Sequence, residues 1–111
     1  MTYTIAYYSE AVQSEILALP AGILSDYLRL ADLLEELGPS IRLPYSRAMG
    51  EGLFELRPHG REGIGRVFYC YLVGQRIVML HSFVKKTQET PRKELRIAQA
   101  RQLEVKNADA C

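Results

Sequence analysis

Residues 53–86 limit what this chain can fold into more than any other stretch. Three segments, 52–57, 66–73 and 76–84, are rich in β-branched, aromatic and other apolar residues and are separated by short breaks. Strands joined this closely pair antiparallel, because a parallel pair needs a long crossover. Phe54 and Leu56 alternate with Glu55 and Arg57, which predicts one core face and one charged face. Residues 58–65 (Pro-His-Gly-Arg-Glu-Gly-Ile-Gly) form the expected loop, and Gly74-Gln75 a two-residue turn with glycine first. The run ends in His81-Ser82-Phe83-Val84-Lys85-Lys86, so an apolar strand passes directly into paired positive charge. Adjacent side chains on a strand point to opposite faces, so only one lysine of an extended pair can share the open face with Arg57 and Arg66.

The rest of the chain supplies what such a sheet packs against. Tyr3-Thr4-Ile5-Ala6-Tyr7-Tyr8 reads as a first strand, and Ser9 as the N-cap of a short helix ended by Pro20. Residues 21–38 are the clearest helix. Leu24, Tyr27, Leu28, Ala31, Leu34 and Leu37 recur at steps of three and four, Leu30 and Leu33 widen the stripe, and Gly38-Pro39 ends it. Residues 39–52 read as a connector containing Pro39, Pro44, Gly50 and Gly52. Thr90 and Pro91 are the expected N-cap and first position of a last helix. There Leu95, Ala98 and Leu103 are expected to pack inward, and the tail is expected to fray after about residue 104. The order strand, two helices, three strands, helix predicts an α+β domain spanning residues 1–111, with a central antiparallel sheet, an N-terminal helical pair and a C-terminal helix. The expected arrangement places the helices on one face.

Charge is distributed unevenly. Residues 1–40 hold one base, Arg29, against six acids, while the whole chain is net +1, so the remainder is basic. The acids either solvate helices or form a second, separate surface. Cys70 and Cys111 lie far apart and form no Cys-x-x-Cys pair. Cys70 is expected as a buried apolar residue, and this usage fits a reducing cytoplasm. No basic-then-apolar leader and no membrane-length apolar run is present in the sequence.

Chemistry has few places to reside. Arg57, Arg66 and one of Lys85 and Lys86 could surround a phosphate, guanidinium as a fork and ammonium as a point charge. The competing reading is a rim of solvated cations. Glu55 is a candidate general base or the partner of a cross-strand ion pair. His59, in the glycine loop, is free to carry protons, whereas His81 reads as a satisfied core histidine. Two isolated histidines without nearby ligands make no metal site. The glycines at 60, 63 and 65 join strands, so they form no P-loop. Tyr69 and Tyr71 either pack in the sheet or stack on bases.

In order and spacing, Leu53-Phe54-Glu55-Leu56-Arg57, Arg66-Val67-Phe68-Tyr69 and residues 80–91 (Leu-His-Ser-Phe-Val-Lys-Lys-Thr-Gln-Glu-Thr-Pro) carry a family likeness. The chain resembles the phage-derived Gp49-like, HigB-type toxins of the RelE/ParE superfamily of type II toxin–antitoxin systems. The resemblance implies a RelE-like fold and a metal-independent, ribosome-dependent mRNA endonuclease that needs no cofactor. In it the ribose 2′-hydroxyl attacks the adjacent phosphate and basic side chains catalyse. It implies a helix-turn-helix antitoxin as partner, with operator DNA bound only through that antitoxin, and the ribosome and mRNA as targets in the cytoplasm. Carried over by position, Arg66 resembles the strand arginine near the scissile phosphate. Lys86, with Lys85 beside it, falls near the basic residue ending the last strand, and Arg57 is the next candidate. Arg61, Arg92, Lys93 and Arg96 are the expected RNA contacts. RelE-type enzymes carry strand lysines where this chain has Leu53 and Glu55, and their C-terminal tyrosine falls here near Arg92. Their acid–base assignment therefore does not transfer, and Glu55 and His59 stand as substitutes. A non-enzymatic, ParE-like gyrase binder and an inert module that only binds an antitoxin are the competing functions.

Overall fold

The structure is a computed structural model and describes residues 2–85 and 89–110. Six strands form one sheet: β1 (Thr4–Tyr7), β2 (Ser46–Gly50), β3 (Leu53–Leu56), β4 (His59–Gly60), β5 (Gly63–Leu72) and β6 (Arg76–Lys85). The helices are α1 (Glu10–Leu17), α2 (Ala21–Leu37) and α3 (Arg92–Ala110). The spatial order is β1-β6-β5-β3-β2, with the two-residue β4 paired to β5. The late strands pair antiparallel as expected, and β1 adds in parallel beside β6, so the sheet is mixed. Among the described residues no helix is long and apolar enough to cross a membrane.

Two expected loops contain strands. Ser46–Gly50, inside the expected connector, pairs with β3 through a turn in which Gly50, Glu51 and Gly52 all have positive φ. Residues 58–65 fold as a small hairpin, with His59 opposite Ile64. Leu72 pairs with Arg76, so the β5–β6 turn holds three residues rather than two.

Helices cover both faces of the sheet rather than one. The first core lies under α1 and α2, where Val12, Ile16, Ile23, Tyr27, Leu30 and Leu34 meet Leu56, Val67, Tyr69, Ile77 and Met79. The second lies under α3 and joins Ala98, Leu95 and Val105 to Leu53, Phe68, Cys70, Val78 and Leu80. Ser9 caps α1 as expected, accepting the Val12 N–H at 3.1 Å. The exposed Glu62, from the β4–β5 hairpin, accepts the Gly22 N–H at 3.0 Å and so satisfies an orphan donor at the start of α2. Gly38 ends α2 at φ +51°, against the Tyr3 ring, where a Cβ would collide.

The buried stripe of α2 matches the expected one at Tyr27, Leu30, Ala31 and Leu34, with Leu24 and Leu33 packed against it, and differs at its edges. It runs through Ile23, Tyr27, Leu30, Ala31 and Leu34, while Leu28 and Leu37 are exposed. Leucines occur on both sides of this helix, so periodicity alone does not choose between neighbouring stripes. On α3, Leu103 faces solvent and Gln102 turns inward to donate to the Glu51 carbonyl at 2.9 Å. The helix does not fray after residue 104. It continues to Ala110, tied by the Arg76–Asp109 ion pair and by Glu104 accepting from the Tyr8 hydroxyl.

Leu34→Ala is expected to lower stability by about 2–5 kcal/mol, since it opens a cavity at a fully buried site. Leu28→Ala, on the same helix but half-exposed, is expected to stay within about 0.5 kcal/mol. Urea unfolding of the two variants measures the difference.

Candidate functional site: a buried basic cluster on the α3 face

A β-bulge builds the site. Phe68 pairs with His81 but Tyr69 pairs with Met79, so Leu80 is an extra residue in β6. Before the bulge, Ile77 and Met79 face α1 and α2. Strict alternation would send residues 81, 83 and 85 to that same face. The bulge resets the count, and His81, Phe83 and Lys85 emerge on the α3 face, opposite Phe68, Arg66 and Ile64.

Glu55 anchors this face and has no exposed surface. Arg57 Nη1 donates to its Oε1 at 2.9 Å, Arg66 Nε lies 3.4 Å from the same oxygen, and Thr90 Oγ1 donates to Oε2 at 3.0 Å. Thr90 was the expected cap of α3. Its hydroxyl is spent on Glu55, and the Pro91 carbonyl accepts the first helical N–H, from Leu95. Arg47 of β2 stands directly opposite Glu55 in the ladder. Four cations, Arg47, Arg57, Arg66 and Lys85, thus share the field of one buried carboxylate.

Arg66 is only 3% exposed. Its Nη1 donates to the Gly65 carbonyl at 2.6 Å, while its Nε has no hydrogen-bond partner. Burial, reinforced by Arg57 and Arg47 and opposed by Glu55, pushes its pKa down to about 10, so it remains a cation at neutral pH. Lys85 is also nearly buried. Burial lowers its pKa first, Glu55 pulls it back up, and Arg66, Arg57 and Arg47 lower it further. Buried charges that repel one another in this way favour an incoming anion. Beside them opens a groove of about 670 Å³, lined by Arg57, Arg66, His59 and Arg61 with apolar walls from Leu43, Pro44 and Ile64.

The structure therefore brings together Arg57, Arg66, Lys85 and Glu55. Lys86 lies outside the described residues. With donors on both oxygens and no exposed surface, Glu55 positions its arginines rather than presenting a free carboxylate. Arg61 is exposed on the groove, and Arg92, Lys93 and Arg96 are exposed on the first turns of α3, with no hydrogen bond or ion pair to Glu55 among the described residues. His81 is engaged by Glu94 at 3.1 Å and lies 3.5 Å from Arg101. Tyr69 is buried and bonds to Ser46, and Phe54 stacks on it, so it packs in the sheet. Among the described residues no three His, Cys, Asp or Glu side chains gather to hold a metal ion. Sequence reasoning missed Arg47 as a member of the cluster. Its signal was the Gly50-Glu51-Gly52 turn, which makes 46–50 the hairpin partner of β3 and sets Arg47 across from Glu55.

A mixed sheet with helices on both faces and a buried guanidinium–lysine cluster at one end defines a small α+β protein. The chain belongs to the phage-derived Gp49-like protein family, which matches residues 14–103. No curated protein matches the chain in sequence.

Lys85→Met is expected to raise stability at pH 7 by about 0.5–2 kcal/mol, because it removes a repelled, desolvated charge. The pH dependence has a definite sign. The unfolded chain keeps the Lys85 proton up to its ordinary value of 10.5 and the folded protein releases it lower, so stability rises with pH between those points. Buried Tyr27, Tyr69 and Tyr71, whose pKa values are raised, oppose that rise in the whole protein, so the readout is a difference: in urea unfolding across that range the stability gap between Lys85→Met and wild type should close as pH rises. Glu55→Gln leaves buried cations without their counter-charge, and a loss of about 3–5 kcal/mol is expected in the same assay.

Proposed function

We propose that the chain is the toxin of a type II toxin–antitoxin pair and acts as a metal-independent, ribosome-dependent mRNA endonuclease. The observation that carries this reading is Arg66, almost fully buried and ion-paired with Glu55, among Arg57, Arg47 and Lys85 at the edge of an open groove. Desolvated, pre-positioned cations stabilise charge that develops on a phosphorane far better than solvated ones do. In this reading the ribose 2′-hydroxyl attacks its own 3′-phosphate, Arg66 and Lys85 hold the non-bridging oxygens, and Arg57 steadies the substrate and Glu55. Membership of a family of toxin-like phage-derived proteins is consistent with a toxin. A helix-turn-helix antitoxin is the expected partner, translating ribosomes in the cytoplasm the target, and Arg61, Arg92, Lys93 and Arg96 the outer RNA contacts.

A second reading is a non-enzymatic, ParE-like toxin that binds DNA gyrase. It is favoured by Leu53 and Glu55, both buried at positions where RelE-type relatives present lysines.

Induction of the gene with mapping of mRNA 5′ ends separates the two. The expected result is new cuts inside translated frames that vanish when translation is blocked, together with loss of cutting by 100-fold or more (on the order of the electrostatic contribution of such groups) in Arg66→Ala/Lys85→Ala. Growth arrest with DNA damage and intact mRNA would establish the gyrase reading instead.

A further inference from the structure

We infer that His59 is the proton donor to the leaving group, held in place by Asp26, an inference that rests on the RNA-cleavage reading above. His59 opens the β4–β5 hairpin and lines the same groove as Arg57, Arg61 and Arg66. Its position is set twice by one carboxylate oxygen. Its backbone N–H donates to Asp26 Oδ2 at 2.8 Å, and its ring Nδ1 lies 3.6 Å from that oxygen, within ion-pair range. Asp26 is itself gripped by Arg29 at 2.8 and 3.0 Å. Burial alone would raise the Asp26 pKa, but the His59 N–H and Arg29 outweigh it and hold the carboxyl below its ordinary range.

The hairpin is a rigid mount. Glu62 ties it to the first turn of α2, and Gly60 lies against the backbone of Gly22 and Ile23, where a Cβ would come within 2.6–2.7 Å. Yet the His59 side chain is 74% exposed, and its Nε2 makes no hydrogen bond among the described residues. An exposed ring that lines a groove, with a carboxylate 3.6 Å from its Nδ1, is an arrangement that delivers protons rather than one that closes a core. The charged groups around the ring are Asp26 and Arg29 on α2, Arg61 and Glu62 in its own turn, and Arg57 and Arg66 along the groove.

The step balances without redox chemistry. The 2′-oxygen forms its bond to phosphorus and its proton passes to water. The P–O5′ bond breaks, and O5′ takes the Nε2 proton. The products are a 2′,3′-cyclic phosphate and a 5′-hydroxyl, and the ring regains a proton from solvent. Glu55 is buried and occupied, which leaves His59 as the exposed proton carrier lining this groove.

The test is single-turnover cleavage by the full chain on ribosomes programmed with mRNA, at saturating toxin. One mRNA is ordinary, and one carries sulfur in place of the bridging 5′-oxygen at the cut site. His59→Gln should cut ordinary RNA about 100-fold or more slowly, with an unchanged melting midpoint. It should match wild type on the sulfur substrate, whose thiolate leaves without a proton. Asp26→Asn should show a smaller deficit that the sulfur substrate also relieves. Equal rates for His59→Gln and wild type on ordinary RNA would overturn the assignment while leaving the nuclease reading intact, as would a deficit that persists on the sulfur substrate. No cutting by wild type would overturn both.

Discussion

Strand β6 has to satisfy two cores, and one extra residue lets it do so. It is paired on both sides, parallel to β1 and antiparallel to β5, so its register cannot slide without breaking two ladders. Its first half turns Ile77 and Met79 toward α1 and α2, and Val78 and Leu80 toward α3. Had alternation continued, His81, Phe83 and Lys85 would lie under α2, and the lysine would be driven into an apolar layer. The unpaired Leu80 shifts the phase by one. Phe83 then joins Phe68 on the α3 side at 5.7 Å between rings, His81 reaches Glu94, and Lys85 lands beside Arg66.

What gathers there works against folding. Arg66 and Lys85 are nearly buried, their proton affinities are depressed, and Glu55 is the carboxylate they share. Such an arrangement persists because the surrounding packing over-determines it. The β2–β3 hairpin holds Arg47 and Glu55 in register, the chain entering α3 brings Thr90 onto Glu55, and Arg101 on α3 donates to the Leu80 carbonyl at 2.8 Å, at the bulge itself. The second anchored element is the β4–β5 hairpin, which α2 holds through Asp26 and Glu62. One face of the sheet supplies the cations and the β4–β5 hairpin held by α2 supplies the histidine, and they meet at the groove.

Much of this was readable in the chain. The alternation of Phe54 and Leu56 with Glu55 and Arg57 places them on opposite faces as found, and Ser9, Pro20 and Gly38 mark the helix ends as found. The errors have specific causes. The α2 stripe differs at its edges, where Ile23 replaces Leu28 and Leu37, because leucines on both sides of the helix make the periodicity degenerate. Thr90 was read as a cap because its competing partner, Glu55, is 35 residues away. The tail after residue 104 was expected to fray because the groups that tie it, Arg76 and Tyr8, are distant in the chain.

By itself the sequence determined the three helices, the strands β1, β3, β5 and β6, the α+β class and the residues able to carry charge, since propensity, alternation and capping act within a few neighbours. Only the tertiary structure decided which face each charge occupies. A bulge costs one unpaired residue and leaves no local mark in composition, yet it moves every later side chain of the strand to the other face. For the same reason Arg47, in an unremarked connector, became a neighbour of Glu55, and Asp26, on a solvated helix face, became the anchor of His59.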